Sequence, residues 1–217
     1  MNSNPFIVPY DRLPGTLPIF PLSGAIVLPG SELPLNIFEP RYLNMVNDAL
    51  NTHRMIGMIQ PDTDAEDATD LCHTGCAGRI TQYRETGDGR IELLLSGVCR
   101  FDCGEELPTT RGYRLIVPDW TRFSIDYTDH EGKLHGVHER FVKTLKHYFM
   151  ANGLEADWPM LEHLPTVRLM NSLIMALPLS EQDKQALLET VEPAERLYAL
   201  GALFDGELNV PRSATRH

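Results

Sequence analysis

The sequence has no apolar run long enough to cross a membrane. A membrane-spanning helix needs about 20 consecutive apolar residues, and no stretch of the 217 residues approaches that length. The amino-terminal segment also lacks the basic start and the apolar core of a targeting signal. We therefore expect a soluble, cytoplasmic protein that makes no contact with a membrane.

A surplus of basic residues is also missing. Lys and Arg number 19 against 30 Asp and Glu, which gives a formal net charge of −11 at pH 7. The basic residues are scattered along the chain, whereas a surface that follows nucleic-acid phosphates needs them clustered. We expect no nucleic-acid partner.

Motifs for phosphate or metal binding are scarce. The phosphate-binding pattern Gly-x4-Gly-Lys-Ser/Thr does not occur. The four cysteines form two C-x3-C pairs, Cys72 with Cys76 and Cys99 with Cys103. If Cys99 and Cys103 share one extended strand, they lie about 13 Å apart, whereas two sulfurs on one zinc ion lie at most about 4.6 Å apart. We therefore expect reduced thiols, no metal and no cofactor.

The segment Asp62–Asp70 lacks any basic residue and holds five acidic ones. Such a block repels itself and gains little from packing, which predicts a mobile loop. A calcium site is the alternative, because Asp62, Asp64 and Glu66 alternate as calcium ligands do. The glycine and the glutamate that a calcium loop needs at its sixth and twelfth positions are absent, so the mobile loop is favoured.

The stretch Thr16–Leu43 contains three short apolar runs and the start of a helix. Each run meets a proline, which removes a backbone donor and confines the run to a short strand or an edge strand. The predicted strands are Leu17–Leu22, Ala25–Leu28 and Leu33–Phe38. Pro40 suits the first position of a helix, and an apolar stripe follows it at helical spacing, formed by Tyr42, Met45, Val46 and Ala49.

Arg41 lies in the first turn of this predicted helix, where the positive end of the helix dipole disfavours a cation. Two interpretations are open. In the first, Phe38, Arg41 and Tyr42 line a binding surface. In the second, Arg41 is bound to Glu39 or to carbonyls of the preceding strands and joins the strand to the helix.

Further strands are predicted at Arg54–Ile59 and Tyr113–Val117, with a β-hairpin at Ala77–Thr86 and Arg90–Cys103. The hairpin follows from Asp-Gly between two apolar runs. Gly97 predicts a bulge that bends the second hairpin strand toward closure of a barrel. Alternation along that strand sends its residues to two faces, Ile91, Leu93, Leu95, Cys99 and Phe101 to one and Glu92, Ser96, Arg100 and Asp102 to the other.

The spacing of apolar residues changes from two to about 3.6 between Val117 and Leu134, which predicts helices beyond this point. Four are predicted, from Leu134 to Asn152-Gly153, between Pro165 and Pro178, at Glu181–Glu189 with Ser180 as its cap, and from Pro193 to Asn209. We therefore predict a β-rich subdomain with one early helix at residues 1–125 and a helical subdomain at residues 126–217, and we expect the two to share a core. Aromatic residues lie near the junction, namely Trp120, Phe123, Tyr127 and Trp158.

Several blocks of the sequence resemble, in the same order, the amino-terminal domain family of Lon proteases. The first block is LPIFPLSGAIVLPGSELPLNIFEPRYLNMV at residues 17–46. The others are IGMIQP at 56–61, GCAGRITQYRE at 75–85, DGRIELLLSGVCRF at 88–101 and ADWPMLE at 156–162. The resemblance spans residues 16–204.

The resemblance implies an α+β fold in which a PUA-like, β-rich pseudo-barrel subdomain is followed by a helical-bundle subdomain. It also implies a role in recognising polypeptides and in assembly rather than in catalysis. The ATPase and serine-lysine peptidase regions of full-length Lon proteases do not occur in the sequence. We therefore expect no proteolysis by the chain itself.

Two functions from different classes follow. In the first, the chain is a polypeptide-recognition or adaptor module, and the candidate contact residues are Phe38, Arg41, Tyr42, Trp120, Phe123 and Trp158. In the second, it is a hydrolase that uses Cys72, Cys76 or one of the eight histidines. No motif brings a cysteine, a histidine and an acid together, which favours the first function. If the junction aromatics are buried, we expect binding at the sheet edge near Pro29 and Pro34.

Overall fold

A computed structural model describes residues 7–63, 65, 67 and 70–209, except the side chains of residues 135 and 207–209. The predicted acidic loop Asp62–Asp70 therefore lies partly outside the described residues, and the tail after Asn209 lies wholly outside them. At the two described ends of the acidic segment, the backbone N–H of Asp62 donates to the carbonyl of Asp70 at 3.0 Å. This bond closes the base of the segment.

Within the described residues, six strands form one mixed sheet that closes on itself, in the order β2-β5-β4-β3-β1-β6 with a further pairing of β5 to β6. The first half of β5 pairs with β2 and its second half pairs with β6. Five strands therefore form a closed barrel, and β2 lies outside it as an edge strand. The bounds are β1 Leu17–Pro21, β2 Glu32–Ile37, β3 Met55–Ile59, β4 Thr74–Glu85, β5 Ile91–Leu107 and β6 Arg114–Asp119.

The strand predicted at Ala25–Leu28 is wrong. These residues have no regular structure, although Ile26, Val27 and Leu28 are buried. Two glycines with positive φ, Gly24 at +71° and Gly30 at +76°, turn the chain at either side of the segment. The apolar run therefore reflects burial against the barrel and not pairing in the sheet, because periodicity alone does not separate the two.

The bulge predicted at Gly97 is present in β5. Pairing with β4 skips Val98 between Gly97 and Cys99. Before the bulge, Leu95 packs into the larger hydrophobic core, whereas beyond it Phe101 packs into a smaller cluster. A single extra residue thus exchanges the two faces of the strand.

Arg100 consequently does not share a face of β5 with Glu92, although the alternation had predicted that it does. Its side chain is fully buried, with 0% exposure. The exchange of faces directs its guanidinium group toward the helices, where it donates to the carbonyl of Leu188 at 3.0 Å. Glu92, which precedes the bulge on the same predicted face, is exposed as expected.

All four predicted helices after the barrel are present, and a short fifth helix, α3, was not predicted. The longest, α2, ends at Gly153, whose φ of +65° is the left-handed conformation expected after a helix. The side chain of Ser180 accepts the backbone N–H of Asp183 at 3.0 Å and caps α5 as predicted. The helix bounds are α1 Pro40–Leu50, α2 Glu131–Asn152, α3 Trp158–Glu162, α4 Thr166–Ala176, α5 Glu181–Glu189 and α6 Pro193–Asn209.

Two hydrophobic clusters hold the fold together. The smaller fills the barrel, because its members come from all five barrel strands, for example Ile19, Phe101 and Ile116. The larger lies between the barrel and the helices and joins residues of both, such as Phe20 and Leu145. The predicted α+β class, with a β-rich pseudo-barrel followed by a helical bundle, is confirmed, and we propose residues 1–125 and 126–217 as its two subdomains.

Candidate functional site

Two of the candidate contact residues are buried. Tyr42 is 6% exposed and packs against Phe20, with ring centroids 4.3 Å apart and ring planes tilted by 49°, and burial raises the pKa of Tyr42. Phe123 is 0% exposed and lies between two guanidinium groups, that of Arg100 at 4.4 Å and that of Arg122 at 4.6 Å from its ring centroid. Because both rings are buried, neither is placed to contact a partner directly.

Arg41 occupies the arrangement described by the second interpretation. Its Nε and Nη2 atoms donate to one carboxylate oxygen of Glu39 at 2.9 and 2.8 Å. Its guanidinium carbon also lies 4.5 Å from the ring centroid of Tyr42. Arg41 thus joins the end of β2 to α1. In contrast, Phe38 is 61% exposed, so it is the member of this trio that presents apolar surface.

Trp120 and Trp158 are both partly buried, but in different places. The indole N–H of Trp120 donates to the carbonyl of Pro14 at 3.2 Å, and its ring packs against Phe101 of the barrel cluster. The ring of Trp158 lies edge-on to Phe149 at 5.3 Å within the larger core. The structure therefore does not bring the two tryptophans into one site.

A polar network that the sequence analysis missed fills the junction between barrel and helices. The guanidinium of Arg100 donates to the carboxylate of Asp126, with a shortest distance of 2.6 Å. It also donates to three carbonyls at and beyond the end of α5, those of Leu188 at 3.0 Å, Thr190 at 2.6 Å and Val191 at 3.1 Å. The negative end of the α5 dipole thus faces a cation, which stabilises the contact.

A second buried arginine extends this network. Arg196 is 1% exposed and donates to the carbonyl of Thr190 at 3.0 Å and to Oδ1 of Asn171 at 3.1 Å. Asn171 in turn donates to the carbonyl of Pro29 at 3.0 Å. Burial and the neighbouring charge of Arg100 lower the pKa of Arg196 to about 9. The cavity beside the network measures only about 110 Å³, which is too small for a polypeptide segment.

The remaining candidate surface lies beside the edge strand β2, near the predicted position at Pro34. We call it the β2 surface and define it by Pro34, Phe38, Tyr83 and Leu94. Tyr83 is 50% exposed and Phe38 is 61% exposed. A groove of about 320 Å³ runs between Pro34, Tyr83 and Leu94. The register places Pro34 opposite Leu94, so the two strands present one continuous floor.

Two ion pairs flank the β2 surface. Arg84 is bound to Glu92 at one side of the groove, and Nε of Arg90 lies 3.0 Å from the carboxylate of Asp88 at the hairpin turn. Exposed pairs of this kind add little stability. The charged residues that line the groove, Arg84 and Glu92, are thus paired with each other, which suits an apolar ligand there.

Three of the four cysteines do not have the properties of catalytic thiols. Cys76 and Cys99 are 1% and 0% exposed, and burial raises the pKa of both. Burial also raises the pKa of Cys103 to about 11. A raised pKa keeps these thiols protonated at neutral pH, whereas the thiolate is the nucleophile. Cys72 is directed at the carbonyl of Pro61, 3.6 Å from its sulfur.

A metal centre finds no support in the part of the chain that the structure describes. No group of three or more His, Cys, Asp or Glu side chains is arranged there to hold a metal ion. His73, which adjoins Cys72 in the sequence, instead faces Asp102 with 3.9 Å between Nε2 and Oδ1.

Comparison with known proteins decides the family. The profile of the ATP-dependent protease La (LON) substrate-binding domain matches residues 16–204. The chain belongs to this family. The match covers the barrel, β2 and most of the helical bundle, so the β2 surface and the junction both lie within the Lon substrate-binding domain.

Similar proteins and structures agree with this membership. Lon protease 1 of Myxococcus xanthus is 28% identical over 210 residues, which cover 90% of this chain and 25% of that protein. Lon protease of Desulfosudis oleivorans is also 28% identical over 210 residues, covering 92% of this chain and 25% of that protein. The chain thus spans about a quarter of the length of these curated relatives.

Two solved structures share the Lon domain fold. A Lon N-terminal domain protein from Xanthomonas campestris is 27% identical with a TM-score of 0.60, and the match covers 86% of this chain and 97% of that one. The N-terminal domain of Mycobacterium avium complex Lon protease is 17% identical with a TM-score of 0.67, covering 88% and 98%. The second likeness shows the fold alone. Among the described residues, no helix has the length and apolarity needed to span a membrane.

Proposed function

We propose that the chain is a non-catalytic module that recognises unfolded polypeptide at the β2 surface and acts as an adaptor or regulator. Membership of a substrate-binding family supports a polypeptide partner. The observation that carries the proposal is the exposure of Tyr83 in the groove and of Phe38 directly after β2, together with the pairing of the charged groove residues Arg84 and Glu92. Exposed aromatic residues around a groove are frequent anchors in binding sites.

The rest of the molecule supports this position for the site. The junction between barrel and helices is filled by Arg100 and Arg196 with their hydrogen-bond partners, and Phe123 is enclosed there. Unfolded polypeptides expose apolar side chains and free backbone groups, and both fit an apolar groove beside an edge strand. The net charge of −11 disfavours a nucleic acid as the alternative ligand.

Binding of unfolded lysozyme tests the proposal. We expect the protein to bind reduced, carbamidomethylated lysozyme carrying a fluorescein label, and not to bind native lysozyme, as measured by fluorescence anisotropy. Phe38→Ala should weaken binding about three- to tenfold, because it removes an exposed aromatic anchor. Met160→Ala is the matched control, since Met160 is also 61% exposed but lies on α3.

Two results would contradict the proposal. One is the absence of binding to unfolded lysozyme at millimolar concentrations of the protein. The other is an equal effect of Phe38→Ala and Met160→Ala, which would show that the ligand does not distinguish the β2 surface from other exposed apolar side chains.

A further inference from the structure

One edge of β2 pairs with no other strand that the structure describes. Among the described residues, this strand pairs only with β5, in a register that runs from Glu32 opposite Ser96 to Ile37 opposite Ile91. Just before the strand, the backbone N–H of Gly97 donates to the carbonyl of Ser31 at 2.8 Å. This bond fixes which residues of β2 direct their backbone groups toward β5.

Hydrogen-bonded positions alternate along an antiparallel ladder. Counting from Ser31, the backbone groups of Leu33, Leu35 and Ile37 are directed toward β5. Those of Glu32, Pro34 and Asn36 are therefore directed to the free edge, and all three of these residues are exposed. Pro34 fits this position, because a proline in a sheet must direct its nitrogen away from the ladder.

The free edge consequently offers three acceptors and two donors. The acceptors are the carbonyls of Glu32, Pro34 and Asn36, and the donors are the N–H groups of Glu32 and Asn36, since Pro34 has none. Groups of this kind are complementary to the backbone of an extended chain. They recognise no particular side chain, which suits a ligand that varies in sequence.

The side chains beside the edge add a preference for apolar residues. Alternate side chains of an added strand would project to the same face of the sheet as Pro34 and Leu94, at the groove of about 320 Å³. Phe38 follows directly after the strand and is exposed. The neighbouring ion pairs Arg84–Glu92 and Arg90–Asp88 are each neutral overall.

We propose that the free edge of β2 binds an extended polypeptide segment as an added strand, with the apolar side chains of the segment in the groove of the β2 surface. This rests on the proposed function and specifies how it is performed. The contact uses backbone hydrogen bonds at Glu32, Pro34 and Asn36, and Phe38 covers the end of the added strand.

A matched pair of variants tests the backbone contact. Asn36→Ala keeps the outward N–H and removes the side chain, whereas Asn36→Pro removes the N–H as well. The probe is a fluorescein-labelled, acetylated heptapeptide in which valine alternates with threonine. Asn36→Pro should bind this peptide about two- to tenfold more weakly than Asn36→Ala, which is the effect of one lost backbone hydrogen bond. Pro34→Thr, which adds a donor, should tighten binding by a similar factor.

A modified peptide makes the test independent of protein folding. Methylation of alternate backbone nitrogens removes the donors along one edge of the peptide and keeps its side chains. The wild-type protein should bind this methylated peptide at least about tenfold more weakly than the parent, because several backbone hydrogen bonds are lost together. Circular dichroism and the melting temperature should show that the Asn36 variants fold as the wild type does.

Several results would overturn strand addition. These are equal affinities of Asn36→Pro and Asn36→Ala, equal binding of the methylated and parent peptides, or a wild-type dimer that Asn36→Pro dissociates, which would make a second copy of the chain the occupant. If the peptide results are negative and unfolded lysozyme still binds, polypeptide recognition stands and only strand addition fails. If unfolded lysozyme does not bind either, both proposals fail.

Discussion

The charge of Arg100 is stabilised inside the protein because every N–H of its guanidinium group has an acceptor. Asp126 supplies the counter-charge, and three backbone carbonyls around the end of α5 take the remaining donors. A buried charge that lacked such partners would cost several kcal/mol. Arg100 therefore connects three parts of the chain at a single point, namely α5, β5 and the segment after β6 that contains Asp126.

We expect Arg100→Met to destabilise the protein by about 3–5 kcal/mol, because the change leaves the carboxylate of Asp126 buried and unpaired. Urea denaturation measures this loss. Arg84→Met makes the same substitution at an exposed ion pair with Glu92, and there we expect less than about 1 kcal/mol. Similar losses in the two variants would show that the network around Arg100 does not stabilise the junction.

The sequence contained a weak signal for one of the two buried arginines. Arg196 lies four residues before Leu200 on the apolar stripe of α6, so helical spacing alone places it on the buried side. Arg100 had no such signal, because its face depends on the bulge at Val98. A glycine in a strand predicts a bulge, but it does not predict which residue the bulge leaves unpaired. A shift of one residue exchanges the side chains assigned to the two faces of the strand.

At the scale of elements, close backbone contact explains why β5 has a glycine at position 97, beside its bulge. A Cβ atom at this position would lie 2.0 Å from the carbonyl oxygen of Leu28. The irregular segment Ala25–Leu28 therefore crosses the strand at a point where only glycine fits. The apolar run that the sequence suggested as a strand instead covers this part of β5.

Gly97→Ala should destabilise the protein by about 2–3 kcal/mol, because the backbone of Leu28 must move to admit the methyl group. Gly136→Ala is the control. Gly136 lies inside α2, and apart from its chain neighbours and the backbone of α2 no atom lies within 4 Å of the place that an added methyl group would take, so alanine there should stabilise by about 0.5–1 kcal/mol. Thermal melting of both variants gives the comparison, and a neutral Gly97→Ala would show that Leu28 moves freely.

Most elements were predictable because their signals are local. Asp-Gly marked the β4–β5 hairpin, prolines marked strand ends and helix starts, and Ser180 marked the start of α5. The short helix α3 was missed since five residues are too few to show a helical period.

The candidate contact residues were harder to predict, because exposure depends on packing between distant elements. Tyr42 and Phe38 are four residues apart, yet one is buried and the other exposed.

At the scale of the whole molecule, the larger core determines how the two subdomains depend on each other. It joins residues of β1, such as Phe20, to residues of α2, such as Leu145, and the junction network of Arg100 spans the same boundary. Removing the helices would expose one side of this core. We therefore expect residues 1–125 alone to be much less stable than the complete chain, since burial of apolar area is the main stabilising contribution to folding.

The two tryptophans allow cooperative unfolding to be tested directly in the complete chain. Trp120 packs on the barrel cluster and Trp158 on the helices, so each reports on one subdomain. In Trp158→Phe the fluorescence follows the barrel, and in Trp120→Phe it follows the helical bundle. Because the subdomains share a core, within each variant the urea transitions seen by fluorescence and by far-ultraviolet circular dichroism should coincide. A barrel signal that persists after the helical circular dichroism is lost would mean that the barrel is stable alone, and the shared core would then contribute little.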